Sequence, residues 1–179
     1  TMTIAAGLLM PMDTLLLPLL ARDHRWDAAT AGLLIACRSV GVGVIALRIL
    51  TRGAFRRPGL VAVLGLLLGG VGVIGLSVLD PLPLTIAAAF VSGVGVGTFT
   101  GHVLPLLMNS VEREYQSRLQ SVVVLCQSLA LVVMNPVLGS LADVNGVGIT
   151  GVCLGIGIAS ALIGLVALTR PVLRNATVS

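Results

Sequence analysis

Two charged side chains lie near the middle of long apolar runs, where a charge is costly. Asp13 lies in the run 4–21, and Arg38 lies in the run 28–50. A charge on an isolated helix in lipid costs at least about 2.5–3.5 kcal/mol, so both should face protein or a water-filled cavity. With a rise of about 1.5 Å per residue, Asp13 is roughly 12 Å and Arg38 roughly 14 Å from the facing ends of adjacent helices. We therefore expect them to meet at one depth, as part of a transport pathway or as an ion pair that only orders helix packing.

Three polar side chains in other apolar runs are weaker candidates for the same pathway. They are His102, Gln127 and Asn135. Each could instead donate or accept a hydrogen bond between helices, and this is the interpretation favoured for Asn135. Prolines inside the runs remove backbone donors and can bend a helix. Bends near Asp13 and His102 would suit a gated cavity.

Other kinds of chemistry find little support in the sequence. The pattern Gly70-x-Gly72-x-x-Gly75 matches a dinucleotide fingerprint, but it lies inside an apolar run and lacks the acidic residue that binds ribose. The cysteines have no C-x-x-C spacing and no neighbouring histidine cluster, which argues against a disulfide framework or a zinc site. No nucleophile, base or metal ligands cluster at one depth. An enzyme, a cofactor and a metal site are therefore not expected.

The composition defines the elements that must position these residues. Of the 179 residues, 56% are hydrophobic and 10% charged, with a mean hydropathy of +1.09. Soluble domains average about 45–50% apolar and about 25% charged residues, so a soluble enzyme and a disordered protein are both excluded. The apolar runs are continuous, which excludes an alternating outer-membrane barrel. We predict an all-α integral membrane protein with six spans, at residues 4–21, 28–50, 58–79, 82–108, 119–142 and 146–169.

The arginines predict how these spans are oriented. Eight lie in the second and fourth connections and after the last span, and only Arg22 and Arg25 lie on the other side. By the positive-inside rule, the chain is a multi-pass protein of the cell (plasma or inner) membrane with a cytoplasmic C-terminus. Because the basic residues flank spans and form no patch, nucleic acid is not an expected partner. The predicted cytoplasmic basic loop contains Arg48, Arg52, Arg56 and Arg57.

Glycines recur at every fourth residue in three of the runs. The stripes are Gly93-x-x-x-Gly97-x-x-x-Gly101, Gly65-x-x-x-Gly69 and Gly151-x-x-x-Gly155. Such a stripe lets two helix backbones approach closely in lipid. We expect all three to pack against neighbouring helices.

The sequence also matches itself at an offset of 89 residues. At this offset Cys37-Arg38-Ser39 falls on Cys126-Gln127-Ser128, and Asp13 falls on His102. Because each repeat holds three spans, the second would be inverted relative to the first. Two inverted three-helix repeats are the architecture of one half of a large class of secondary transporters.

At this point the chain resembles the C-terminal six-helix half of a major facilitator superfamily transporter of the drug-efflux kind. Leu16-Leu17-Pro18-Leu19-Leu20 and Ala31-Gly32-Leu33-Leu34-Ile35-Ala36 look like the seventh and eighth helices. The basic loop resembles the family's loop motif without its aspartate. Asn135-Pro136-x-x-Gly139-Ser140 is similar to the antiporter motif Gly-Pro-x-x-Gly-Gly, which belongs to the other half.

The resemblance implies a secondary active transporter, with proton-coupled export of small hydrophobic or amphipathic compounds. Its partners would be the lipid bilayer, a small-molecule substrate and a second six-helix half, in the same full-length chain or in a homodimer. Thr1-Met2-Thr3 enters an apolar run without a preceding basic residue, so we expect an N-terminal half to precede it. A native half-size protein starting at Met2 stays open. The alternative function is a non-transporting membrane module that assembles with other helices.

Overall fold

The computed structural model describes residues 16–53, 55, 57–109, 111–143 and 148–168, and these residues form a helical bundle. A short 3-10 helix, Arg113–Tyr115, precedes the fifth helix. The α-helices are α1 (Leu17–Asp23), α2 (Ala28–Arg52), α3 (Pro58–Val78), α4 (Leu82–Asn109), α5 (Gln116–Asp143) and α6 (Gly148–Leu168).

Helices α2 to α6 are each long and apolar enough to cross a membrane. They overlap the second to sixth spans expected from the sequence. The described helix α1 has seven residues, of which 17–21 belong to the first expected span, and residues 1–15 lie outside the described part. The first span, the total of six spans and the inverted repeat therefore stay predictions.

Local sequence signals define both ends of α2. Asp27 precedes the helix, and its carboxylate accepts a hydrogen bond from the backbone N–H of Thr30 at 3.0 Å. Gly53 follows the helix with a φ of +75°, a conformation that side chains disfavour, and its N–H donates to Ile49 at 2.8 Å. Pro58 then starts α3, where its missing N–H has no partner to lose. The connection between α2 and α3 is consequently short.

Close backbone contacts hold the bundle together, with α3 packed between α4 and α6 and with α2 packed on α4. A Cβ on Gly65 would lie 2.7 Å from the backbone nitrogen of Phe99 in α4. A Cβ on Gly70 would lie 2.8 Å from the carbonyl oxygen of Gly157 in α6. Both positions therefore require glycine, and the extra dispersion contacts stabilise helix pairs that lipid does not drive together.

The glycine prediction is confirmed for two stripes and wrong at one position. Gly93 and Gly97 contact the backbone of α2, and Gly65 and Gly69 contact α4. Gly155, by contrast, is exposed and has nothing within 4 Å of its Cβ position. The spacing alone could not show which face of α6 meets a neighbour.

Helices α2 and α5 expose much of the apolar surface. Leu50 is 83% exposed, Leu125 67% and Val132 69%. Among the described residues, α5 packs mainly on α6. These side chains would be costly in water but suit a bilayer or a further set of helices.

Candidate functional site

Arg38 is a charged side chain buried within the bundle. It lies on α2 with 3% of its surface exposed, and its Nε donates a hydrogen bond to the hydroxyl of Ser92 on α4 at 3.4 Å. Ser92 is itself fully buried. The expectation that Arg38 faces protein is thus confirmed, because a lipid-facing guanidinium would carry a large desolvation cost.

The other half of the expected ion pair, Asp13, lies outside the described residues. The pairing of Asp13 with Arg38 therefore stays a prediction. Ser92 supplies a described partner for Arg38 that the sequence analysis missed. The sequence shows Ser92 in one apolar run and Arg38 in another. It does not show which helices pair, so it could not identify the two residues as partners.

His102 is the second polar side chain buried within the bundle. It lies on α4 with 1% of its surface exposed, and its Nδ1 is 2.8 Å from the carbonyl oxygen of Thr98. Because a carbonyl only accepts, Nδ1 must carry the proton in this contact. The neutral ring then presents a lone pair at Nε2, which is buried and has no hydrogen-bond partner within the described part of the chain. This nitrogen can accept a proton or a hydrogen bond from a ligand.

Phe55, from the connection between α2 and α3, contacts His102. The ring of Phe55 lies 5.3 Å from the imidazole, centroid to centroid. The guanidinium carbon of Arg48 lies 3.9 Å from the centroid of Phe55, and its Nη1 donates to the carbonyl of Gly53 at 3.0 Å. Arg48, from the predicted basic loop, thus packs onto the aromatic ring, and Phe55 was missed by the sequence analysis.

The other arginines of the predicted loop lie apart from this stack. Arg52 ends α2 and Arg57 precedes α3, and both are exposed. Arg56 lies outside the described residues. Exposed guanidinium groups at a helix end suit a membrane surface or aqueous phase better than the apolar interior.

The structure does not bring Arg38 and His102 together. Ser92, the partner of Arg38, is ten residues before His102 on α4. At a rise of about 1.5 Å per residue, the two levels are about 15 Å apart along the helix axis. They are therefore two separate polar positions along one helix pair.

The polar residues of α5 occupy a different part of the bundle. Gln127 is half-buried on α5. The side-chain oxygen of Asn135 is buried without a hydrogen-bond partner among the described residues, so the interhelical bond expected for it is wrong at this atom. An open groove of about 580 Å³ runs along α5 and is lined by Ser117, Gln120, Ser121, Val124, Leu125 and Ser128.

A small ionic cluster links two connections at the opposite end of the bundle. His24 lies after α1, with its Nδ1 3.0 Å from the carbonyl of Leu20 and its Nε2 3.9 Å from the carboxylate of Asp80. Trp26 stacks on the imidazole at 4.6 Å. Since Nδ1 donates to the carbonyl, Nε2 carries a proton toward Asp80 only in the imidazolium form. This link therefore depends on the charge of His24.

Metal binding has no support in the described part of the chain. No group of three or more His, Cys, Asp or Glu side chains is arranged there to bind an ion. Cys153 is buried, Cys37 is half-buried and Cys126 is exposed, and all three are free thiols. Within the described residues, the buried polar groups can exchange protons or hydrogen bonds with a ligand.

Five long apolar helices and buried polar groups between them define a multi-pass α-helical membrane protein. The family model of the Major Facilitator Superfamily matches residues 2–178 of the chain. The chain belongs to this superfamily, whose members are membrane transporters and not enzymes. No curated protein and no solved structure matches it.

Proposed function

We propose that the protein is a secondary active transporter that exports small hydrophobic or amphipathic compounds in exchange for protons. The observation that carries this proposal is the burial of Arg38 and His102 between α2 and α4 of a superfamily member. Ionisable groups inside a membrane are expensive and commonly mark ion or substrate pathways. Nε2 of His102, which has no hydrogen-bond partner among the described residues, is a proton acceptor of the kind that such coupling requires.

The active unit in this proposal contains a second six-helix half, from the same polypeptide or from a second copy. The exposed faces of α2 and α5 support it, because α5 carries polar side chains along a groove that lipid would not solvate. Substrate would bind between the halves near the bilayer midplane. The proposed location is the cell membrane, with the connection between α2 and α3 in the cytoplasm, as the distribution of arginines indicates.

The test is transport by the complete protein in sealed proteoliposomes with an imposed pH gradient. Ethidium serves as an amphipathic probe, and trapped pyranine reports the internal pH. We expect ethidium movement against its gradient with proton movement in the opposite direction. His102→Gln should reduce the proton flux, while His24→Gln, the matched change at the other histidine, should not. Proton flux without ethidium movement would contradict the substrate class, and gradient-independent ethidium movement would contradict the coupling.

The alternative function is a non-transporting membrane module that assembles with other helices. The exposed, partly polar α5 is the observation that favours it. Such a module would copurify with a membrane partner and show no flux for ethidium or protons at any gradient. The same proteoliposomes therefore separate the two functions.

A further inference from the structure

An aromatic side chain lies within the most basic connection of the chain. Phe55 lies between the arginines that end α2 and precede α3, and its ring is half-buried although it belongs to a loop. Its described neighbours are the ring of His102, tilted by 46° to it, and the guanidinium of Arg48. These contacts of Phe55 connect the loop with α2 and α4.

Arg48 fixes the loop at two points. Its guanidinium packs on the face of Phe55, where the negative charge of the ring face attracts a cation. Its Nη1 also donates to the carbonyl of Gly53, two residues before Phe55. One side chain thus binds both the backbone and the ring of the loop, and its loss would free both.

The imidazole that contacts Phe55 contains a buried acceptor whose lone pair has no partner among the described residues. Thr98 takes the proton side of the imidazole, so the acceptor is Nε2 of His102. Buried polar atoms without partners are uncommon and each calls for an explanation. Any hydrogen-bond donor that reached Nε2 would form a hydrogen bond there without first breaking another one. Binding of a donor at Nε2 therefore costs less than binding at a nitrogen that already has a partner.

We propose that Phe55 is a removable cover over His102, held closed by Arg48, and that displacing it admits water or another hydrogen-bond donor to Nε2. Phe55 is a positioning residue in this account, because it acts through His102. The use of this access in transport rests on the proposed function, whereas the covering itself does not. The apolar ring excludes water, and its place on a short loop lets it move without moving a helix.

Carbethoxylation by diethyl pyrocarbonate measures the covering directly. The lone pair of Nε2 attacks a carbonyl carbon of the reagent, a C–O bond breaks, and ethyl carbonate leaves and decomposes to ethanol and carbon dioxide. His24 and His102 are the two histidines of the chain, so His24 is an internal reference. Peptide mass spectrometry gives both rates for the complete protein in its membrane, without substrate or gradient.

The variants are Phe55→Ala, Phe55→Leu and Arg48→Gln, with Phe90→Ala as the matched control. Phe90 lies on α4, as His102 does, but is 37% exposed. We expect slow modification of His102 in the unchanged protein and about a tenfold rise in Phe55→Ala and Arg48→Gln, because reactivity follows the open population. Phe55→Leu should stay slow, and Phe90→Ala should change neither rate.

Two outcomes would overturn the proposal. One is rapid modification of His102 in the unchanged protein, and the other is equal rates in all variants. If Phe55→Ala does not fold, as shown by a changed His24 rate or by aggregation in size-exclusion chromatography, Arg48→Gln decides, because it keeps the phenylalanine side chain and removes only the group that holds it. A cover that behaves as expected in a protein without ethidium or proton flux would leave this inference standing and refute the proposed function.

Discussion

The backbone of Gly93 lies directly against the carbonyl oxygen of Arg38 where α4 crosses α2. A Cβ built on Gly93 would overlap this oxygen. The neighbouring residue, Ser92, accepts the hydrogen bond from the Nε of Arg38. A single crossing point therefore sets both the spacing of the two helices and the position of the buried charge.

Gly93→Ala should destabilise the protein strongly. The added methyl group meets main-chain atoms and not the end of a flexible side chain, so the helices must separate. Overpacking of this kind costs about 1–3 kcal/mol in the free energy of unfolding. Gly43→Ala on α2 is the control, because its Cβ position has nothing within 4 Å. Thermal unfolding followed by size-exclusion chromatography should show a lower midpoint for Gly93→Ala only, and equal midpoints would contradict the described crossing.

Replacing the residues of the proposed ion pair should affect transport and folding differently. If Asp13 pairs with Arg38, the arginine keeps the carboxylate charged, so Asp13→Asn should abolish proton-driven transport while preserving membrane insertion. Arg38→Ala should do more damage, because it also leaves Ser92 and Asp13 without their partner. A purely structural pair would behave otherwise, with the double variant recovering both yield and transport. Abundance and transport per folded molecule are measured for all four proteins, and normal transport in Asp13→Asn would refute a coupling role.

The capping of α2 should make stability depend on acidic pH. Hydrogen bonds from the hydroxyl and then the backbone N–H of Thr30 lower the pKa of Asp27 below its ordinary value of 3.8. Because the folded-state pKa is lowered, the stabilisation is complete above the ordinary pKa of the unfolded chain and is lost as the pH falls through the folded-state pKa. Asp27→Asn keeps an acceptor but does not titrate, and Asp27→Ala removes the cap at every pH. We measure unfolding midpoints between about pH 6 and pH 3. The unchanged protein should have a higher midpoint than Asp27→Asn, and this difference should shrink only at the acidic end of the range.

Trp26 should report its contact with His24. It is the single tryptophan of the chain and stacks on the imidazole at 4.6 Å. Because His24→Gln replaces the aromatic ring against the indole with an amide, the emission spectrum of Trp26 at one fixed pH should change in this variant. Identical spectra for the unchanged protein and His24→Gln would contradict the stacking.

Cysteine labelling should place the C-terminal end of α2 and the connection after α3 on opposite sides of the membrane. With the native cysteines replaced, Thr51→Cys should react with an impermeant maleimide only from the cytoplasm, and Asp80→Cys only from outside. Both positions are exposed in the structure, so access does not limit the reaction. The eight-to-two distribution of arginines across the membrane predicts this result. External labelling at position 51 would reverse the proposed orientation.

The sequence predicted the helices well because hydropathy is a local property. The apolar runs locate α2 to α6, and the cost of a charge in lipid correctly predicted that Arg38 is buried. The same reasoning identified His102 as a polar residue in an apolar run, but it could not show that Nε2 has no hydrogen-bond partner in the described ranges. That fact depends on Thr98 and on the packing around the ring.

The contacts between elements were the part that one sequence could not supply. Ser92 and Phe55 are partners of Arg38 and His102 only because α2, α4 and the connection between α2 and α3 pack together. Glycine spacing predicted that faces pack, but it did not distinguish the exposed Gly155 from the buried Gly157. The rotation of a helix about its own axis depends on the helices packed against it. Glycine spacing in one sequence therefore cannot predict which face of a helix is buried.

The glycine contacts also determine how the protein can vary. Every replacement for glycine is larger, so a random mutation at a backbone contact is always an insertion of atoms into occupied space. The glycine positions that tolerate substitution should therefore be those away from the helix crossings, whichever compound the protein carries. Changes should be rejected at Gly41, Gly65, Gly72, Gly93 and Gly95 and accepted at Gly32, Gly43, Gly139 and Gly155. A library of random variants, selected for folding alone, would thus recover which helices of this protein touch.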